Sequence, residues 1–180
     1  MRRDRNHVTD KEEAMPQPWA SFLEAHAALR SRIASACRTA AEAAASNEAS
    51  LVDEIARVHA MLAHSMLRHM EVEDRVLYPA IARAEGRMSV ELLAMDHRTI
   101  AGLEREVAQA ERALSQGGLG PDERHTLVRT LHGLEMLIDQ HMTKEEEICL
   151  PALDHDLGAA IRQDLEDSLA TFEMAEQQAE

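Results

Sequence analysis

The sequence predicts an all-α protein: an up-down four-helix bundle with an additional C-terminal helix. Three observations carry this expectation. Hydrophobic residues make up 45% of the 180-residue chain while aromatic residues make up only 2%, and Gly and Pro number 7 and 5. Much of the apolar content is Ala, Leu and Met, which suits helices and argues against a sandwich or barrel. Apolar residues also recur three and four apart through five stretches of the chain. Finally, the breaks between these stretches are short, so successive helices should run antiparallel.

Residues 1–16 are polar and charged and read as a tail. Helix A is expected over about residues 17–45, with the stripe Phe22, His26, Leu29, Ile33, Ala36 and Ala40, and Ser46-Asn47 breaks it. Helix B follows over about 49–84, with Ile55, His59, Leu62, Met66, His69, Glu73, Val76 and Ala80 on one face and Gly86 beyond its end. Helix C, about 89–116, carries Leu93, His97, Ile100, Glu104 and Val107, and Gly117-Gly118 stops it. Helix D begins at Pro121-Asp122, with proline in the first turn. It runs to about 153 with Leu127, Leu131, Leu134, Ile138, His141, Glu145, Ile148 and Ala152 inward. Residues 17–155 therefore read as one bundle domain. The segment 156–180 carries Leu157, Ile161, Leu165 and Leu169 at helical spacing. It is expected to add a helix that covers the bundle or pairs with a second chain as a homodimer.

Charge and cysteine usage narrow the function classes. The formal charge is -14, which repels polyanions and argues against nucleic acid or an anionic membrane as partner. Cys37 and Cys149 form no CxxC and exclude a disulfide framework or a cysteine zinc cage. The N-terminus lacks the apolar core of a secretory signal, and no run reaches the ~20 apolar residues of a membrane span. A soluble, cytoplasmic protein is expected.

The polar residues on the stripes carry the chemistry. The segment HMEVEDRVLYPAI, residues 69–81, is echoed by HMTKEEEICLPAL, residues 141–153. Each has a Glu four after its His, and each places Pro-Ala-aliphatic at the same offset. His26 and His97 precede these pairs, one helix earlier, so the hairpins A-B and C-D read as two copies of one plan. Four residues along a helix advance about 400°, so His and Glu project from one face, a turn apart. A single HxxxE is ordinarily a solvated i,i+4 pair, and a lone stripe histidine is ordinarily a satisfied core residue. Here both pairs fall on the apolar face. Burying two carboxylates without a partner is costly, and no Lys or Arg lies on the stripes at that level. A metal is the simplest compensation. Imidazole with carboxylate suits iron, with manganese or zinc as alternatives. Six side chains exceed what one tetrahedral zinc uses and fit two adjacent metals.

Competing motifs are weak. Glu-x-x-His, used by ferritin-like di-iron bundles, is absent, as is HExxH. The cysteines and most methionines read as core filler. His64 lies off the stripe, His59 is placed toward a bundle end, and His7, His125, His132 and His155 read as surface or cap residues.

One histidine on helix A, HxxxE on B, one histidine on C and HxxxE on D resemble the hemerythrin-like, or HHE cation-binding, domain. Leu77-Tyr78-Pro79 and Cys149-Leu150-Pro151 echo that family's Leu-Phe-Pro. The resemblance covers about residues 17–155. It implies a hemerythrin-type bundle around a non-heme centre of two iron ions, oxo- or hydroxo-bridged. The ligands it implies are His26, His69, Glu73, His97, His141 and Glu145, with the two glutamates bridging. Oxygen-carrying hemerythrins have a further histidine four after the one on helix C, where this chain has Ala101. They also have an aspartate five after the one on helix D, where this chain has Glu146. Glu104 or Glu146 is the candidate to replace the missing donor, and Glu104 could instead hydrogen-bond a histidine. That difference points away from reversible oxygen carriage and toward reaction with O2, NO or H2O2. The resemblance leaves three expectations: a di-iron protein that binds or senses O2 or NO or handles iron; a small oxidoreductase consuming peroxide or NO; or an interaction protein with a structural metal site.

Overall fold

A computed structural model describes residues 19–84, 87–151 and 153. The tail at 1–16 and the helix expected over 156–180 lie outside these residues. The described residues form four helices: α1, Ala20–Ser46; α2, residues 51–84; α3, Arg87–Gln116; and α4, residues 121–149. Among them no helix is long and apolar enough to cross a membrane.

Each link has a local cause. α1 ends at Asn47, whose left-handed φ of 54° lets its N–H turn back to the Ala43 carbonyl. Asn tolerates that conformation better than most non-glycine residues. α3 runs out at Gly117 and Gly118, with φ of 155° and 97°. Only glycine adopts such angles without strain. Pro121 opens α4, and the Gly120 N–H donates to the Glu123 carboxylate at 2.6 Å. That bond satisfies a backbone donor at the helix start.

α1 and α3 each pack against both α2 and α4, so the helices close a ring. Two apolar clusters fill it. One holds Leu29, Ile33, Ile55, Leu62, Met66, Ile100, Leu131 and Ile138 among others. The other gathers Trp19, Phe22, Leu77, Tyr78, Ile81, Leu93, Cys149 and Leu150. The buried histidines and glutamates come from stretches of α1 to α4 that carry residues of both clusters, such as Phe22 and Leu29 on either side of His26.

The stripes hold through most of each helix and then slip. α2 contains π-type turns at Leu62–Met66 and Glu73–Leu77, and α4 contains one at Glu145–Cys149. Hydrogen bonding from i to i+5 inserts an extra residue into a turn and rotates everything after it. Simple 3,4 spacing places Val76 and Ile148 inward. Instead Val76 is half-buried and Leu77 fully buried, while Ile148 is 65% exposed and Cys149 only 4% exposed. Both slips begin at the glutamate of an HxxxE pair.

Candidate metal centre

The six polar residues expected from the sequence come together. His26 from α1, His69 and Glu73 from α2, His97 from α3, and His141 and Glu145 from α4 are all buried, the two glutamates at 0% exposure. Their donor atoms fall into two groups, each converging within 4.8 Å: His26, His69, Glu73 and Glu145; and Glu73, His97, His141 and Glu145. The glutamates belong to both. In the first group Glu73 Oε1 lies 2.7 Å from His69 Nε2 and 3.3 Å from His26 Nε2. In the second, His97 Nε2 is 3.0 Å from His141 Nε2 and 3.3 Å from Glu73 Oε2.

These residues fit a metal by their unmet polarity. His69 Nε2, Glu73 Oε2 and Glu145 Oε2 are buried and make no hydrogen bond. Such atoms are costly unless something compensates them. Among the described residues no Lys or Arg pairs with Glu73 or Glu145; Arg30 pairs with Glu146 and Asp139, and Lys144 with Asp96.

The titration behaviour follows from this crowding. Burial would raise Glu73, but the charge of His69 and the close approach of His141, His26 and His69 outweigh it and hold the carboxyl well below its usual range. Glu145 goes the other way: burial, then the charge of Glu73, push it well above. Burial lowers His69 despite Glu73. Burial opposes protonation of His26 too, yet hydrogen bonds and charge from Glu146 and Glu73 raise it.

Two acids hold the rings from behind: Asp74, which the sequence reading did not single out, and Glu146, which it offered only as a replacement donor. His26 Nδ1 donates to Glu146 Oε1 at 3.0 Å, and His97 Nδ1 donates to Asp74 Oδ1 at 3.1 Å. A carboxylate on Nδ1 fixes the tautomer and leaves Nε2 facing the centre. Arg30 Nη2 donates to the same Glu146 oxygen at 2.7 Å. His26 and Arg30 together hold Glu146 below the usual carboxylate range. The signal was in the repeat: an acid directly follows the HxxxE glutamate in both copies, Asp74 after Glu73 and Glu146 after Glu145.

Neither Glu104 nor Glu146 falls within the two converging donor groups. Glu146 serves His26 from outside the donor groups. Glu104 is buried, as its stripe position implied, but it pairs with His59 at 3.1 Å, and His59 also meets Glu111. The ring at His59 lies between α2 and α3 and draws the Glu104 carboxylate to itself. His64, His125 and His132 are exposed, and Cys37 and Cys149 are buried. Burial pushes the Cys37 thiol up to about 12, so it is inert as a nucleophile.

Tyr78 is the other residue missed. Its hydroxyl donates to Glu145 Oε1 at 2.9 Å and lies 2.7 Å from His97 Nε2. Its ring stacks on His97 with centroids 4.9 Å apart.

A four-helix bundle with two overlapping buried His/Glu groups defines the class of a metal-binding helical protein. Family comparison matches the Hemerythrin HHE cation binding domain over residues 17–153, and the chain belongs to that family. Neither the curated proteins nor the solved structures contain a match to it.

Proposed function

We propose that this protein is a non-heme di-iron protein that binds or senses O2 or NO, or handles iron. Its ligands are His26, His69, Glu73, His97, His141 and Glu145, with Glu73 and Glu145 bridging. The observation that carries this reading is the overlap of the two donor groups in those two glutamates. A single tetrahedral ion has no use for six converging donors. Imidazole nitrogen with carboxylate oxygen favours iron over the thiolate-seeking metals.

Iron bound here would supply a redox-active centre for a diatomic or peroxide ligand. The chain does the rest. Glu146 and Asp74 orient two of the rings. Phe22, with its ring centroid 4.0 Å from that of His26, shields the first group from water. Leu77, Met66 and Ile138, all buried, keep the surroundings apolar.

The test is metal content and optical spectrum of untagged protein, followed by gas and peroxide titrations. About two irons per chain, with spectral changes on adding O2 or NO, are expected. Steady consumption of peroxide or NO would instead establish an oxidoreductase. A protein that needs metal to fold, but whose spectrum ignores every small ligand, would make the site structural.

A further inference from the structure

We propose that the phenol oxygen of Tyr78 is a fifth protein donor to the metal held by His97 and His141, bound as a phenolate. The proposal rests on the di-iron reading and adds a residue to it.

Donor spacing is the first argument. Ligand atoms about 2.0–2.2 Å from one metal, at right angles to each other, stand about 3 Å apart. Tyr78 Oη lies 2.7 Å from His97 Nε2 and 2.9 Å from Glu145 Oε1. His97 Nε2 lies 3.0 Å from His141 Nε2. The phenol oxygen therefore keeps the same spacing to two members of the second group as those members keep among themselves. Both distances are also hydrogen-bond distances, but the single phenol proton can be given to only one of the two partners at a time.

The backbone gives the second. In an unbroken α-helix, Tyr78, five residues after Glu73, would sit about 140° round the axis from it. The π-type turn Glu73–Leu77 ends immediately before Tyr78 and swings it back toward the face of Glu73. π-type turns recur at functional sites for this kind of reason.

The third is asymmetry. The matching position in the second copy is Leu150, buried and without a donor. On α3, four residues after His97, Ala101 offers none either. Among the described residues, the His97 side thus has a phenol oxygen besides the shared carboxylates, and the matching position on the other side has none. Coordination breaks the O–H bond and forms an oxygen–metal bond. The proton, directed at Glu145 in this structure, leaves to solvent base, and no electron moves.

The chain holds a single tyrosine, so any tyrosinate signature must come from Tyr78. The full chain would be loaded with ferrous iron, oxidised in air, and examined by metal analysis, visible absorption and resonance Raman. A visible phenolate-to-ferric band is expected, with tyrosine ring modes that shift when the protein is grown on ring-deuterated tyrosine. Tyr78→Phe should keep its iron and lose that band. Labelling tests the native protein even where this variant folds poorly. Iron bound at full stoichiometry without the band, or with ring modes unmoved by labelling, overturns the Tyr78 assignment and leaves the di-iron reading intact. A wild-type chain that takes up no iron overturns both.

Discussion

Glu146 holds His26 by its Nδ1 at 3.0 Å, and Asp74 holds His97 in the same way at 3.1 Å. Each acid directly follows a glutamate of the buried centre, yet serves a histidine on a different helix. One short stretch of helix thus supplies a donor inward and a carboxylate sideways. Outer partners of this kind change affinity without changing the donor count. Asp74→Ala and Glu146→Ala should each bind metal about 10–100-fold more weakly while keeping full stoichiometry at saturation. Competition with a chelator of known affinity measures this. Unaltered affinity in both variants would reduce these contacts to surface pairs.

Glu73 and Glu145 enter both donor groups, whereas Glu71 and Glu147, two residues away, are exposed. Glu73→Ala or Glu145→Ala should therefore deplete metal on both sides of the centre. Glu71→Ala and Glu147→Ala should leave content unchanged. Metal analysis of the four purified variants separates the cases, and equal retention in all four would defeat the ligand assignment.

That these six residues would be buried together was legible because burying charge on an apolar stripe is exceptional and here occurs twice. Helix order and boundaries were legible for similarly local reasons: Asn47, Gly117-Gly118 and Pro121 mark them. What 3.6-residue periodicity could not show was the extra residue in each π-type turn. Val76, Ile148 and Tyr78 were misplaced or overlooked for that single reason. Glu104 is a different case. Its burial followed from the pattern, but its partner His59 comes from another helix, and no spacing rule along one helix announces that contact.

The register slip makes its own prediction. Ile148→Gln should change stability by no more than about 0.5 kcal/mol, as expected for an exposed position. Leu77→Ala should cost about 2–5 kcal/mol, as for a buried leucine. Chemical denaturation of the metal-free variants decides it. A large cost at Ile148 would restore the unbroken helical register.

Metal binding should weaken as pH falls, because the imidazoles must be neutral to coordinate. The raised affinity of His26 for its proton brings this competition on early at that ring. Release should be complete by about pH 4, followed by metal analysis after gel filtration at each pH. Full retention there would argue against histidine ligation.

Without metal, Glu145 is the strained member of the centre. Burial and the charge of Glu73 raise it well above its ordinary value of 4.5. The folded state therefore holds that proton more tightly than the unfolded one. Its contribution to stability is present below about pH 4.5 and is lost as pH rises through the raised value. Glu145→Gln removes the buried charge. In chelator-stripped protein at pH 8 the variant should exceed wild type by roughly 1–3 kcal/mol, the scale of an uncompensated buried polar group. The difference should shrink as pH falls through the raised value, where folded Glu145 takes up its proton, and be gone below about pH 4.5. In metal-loaded protein the order should reverse, because the amide cannot bridge as the carboxylate would. Urea titrations of both proteins, stripped and loaded, test all of this. A metal-free variant no more stable than wild type at pH 8 would mean that the Glu145 charge is already compensated within the chain.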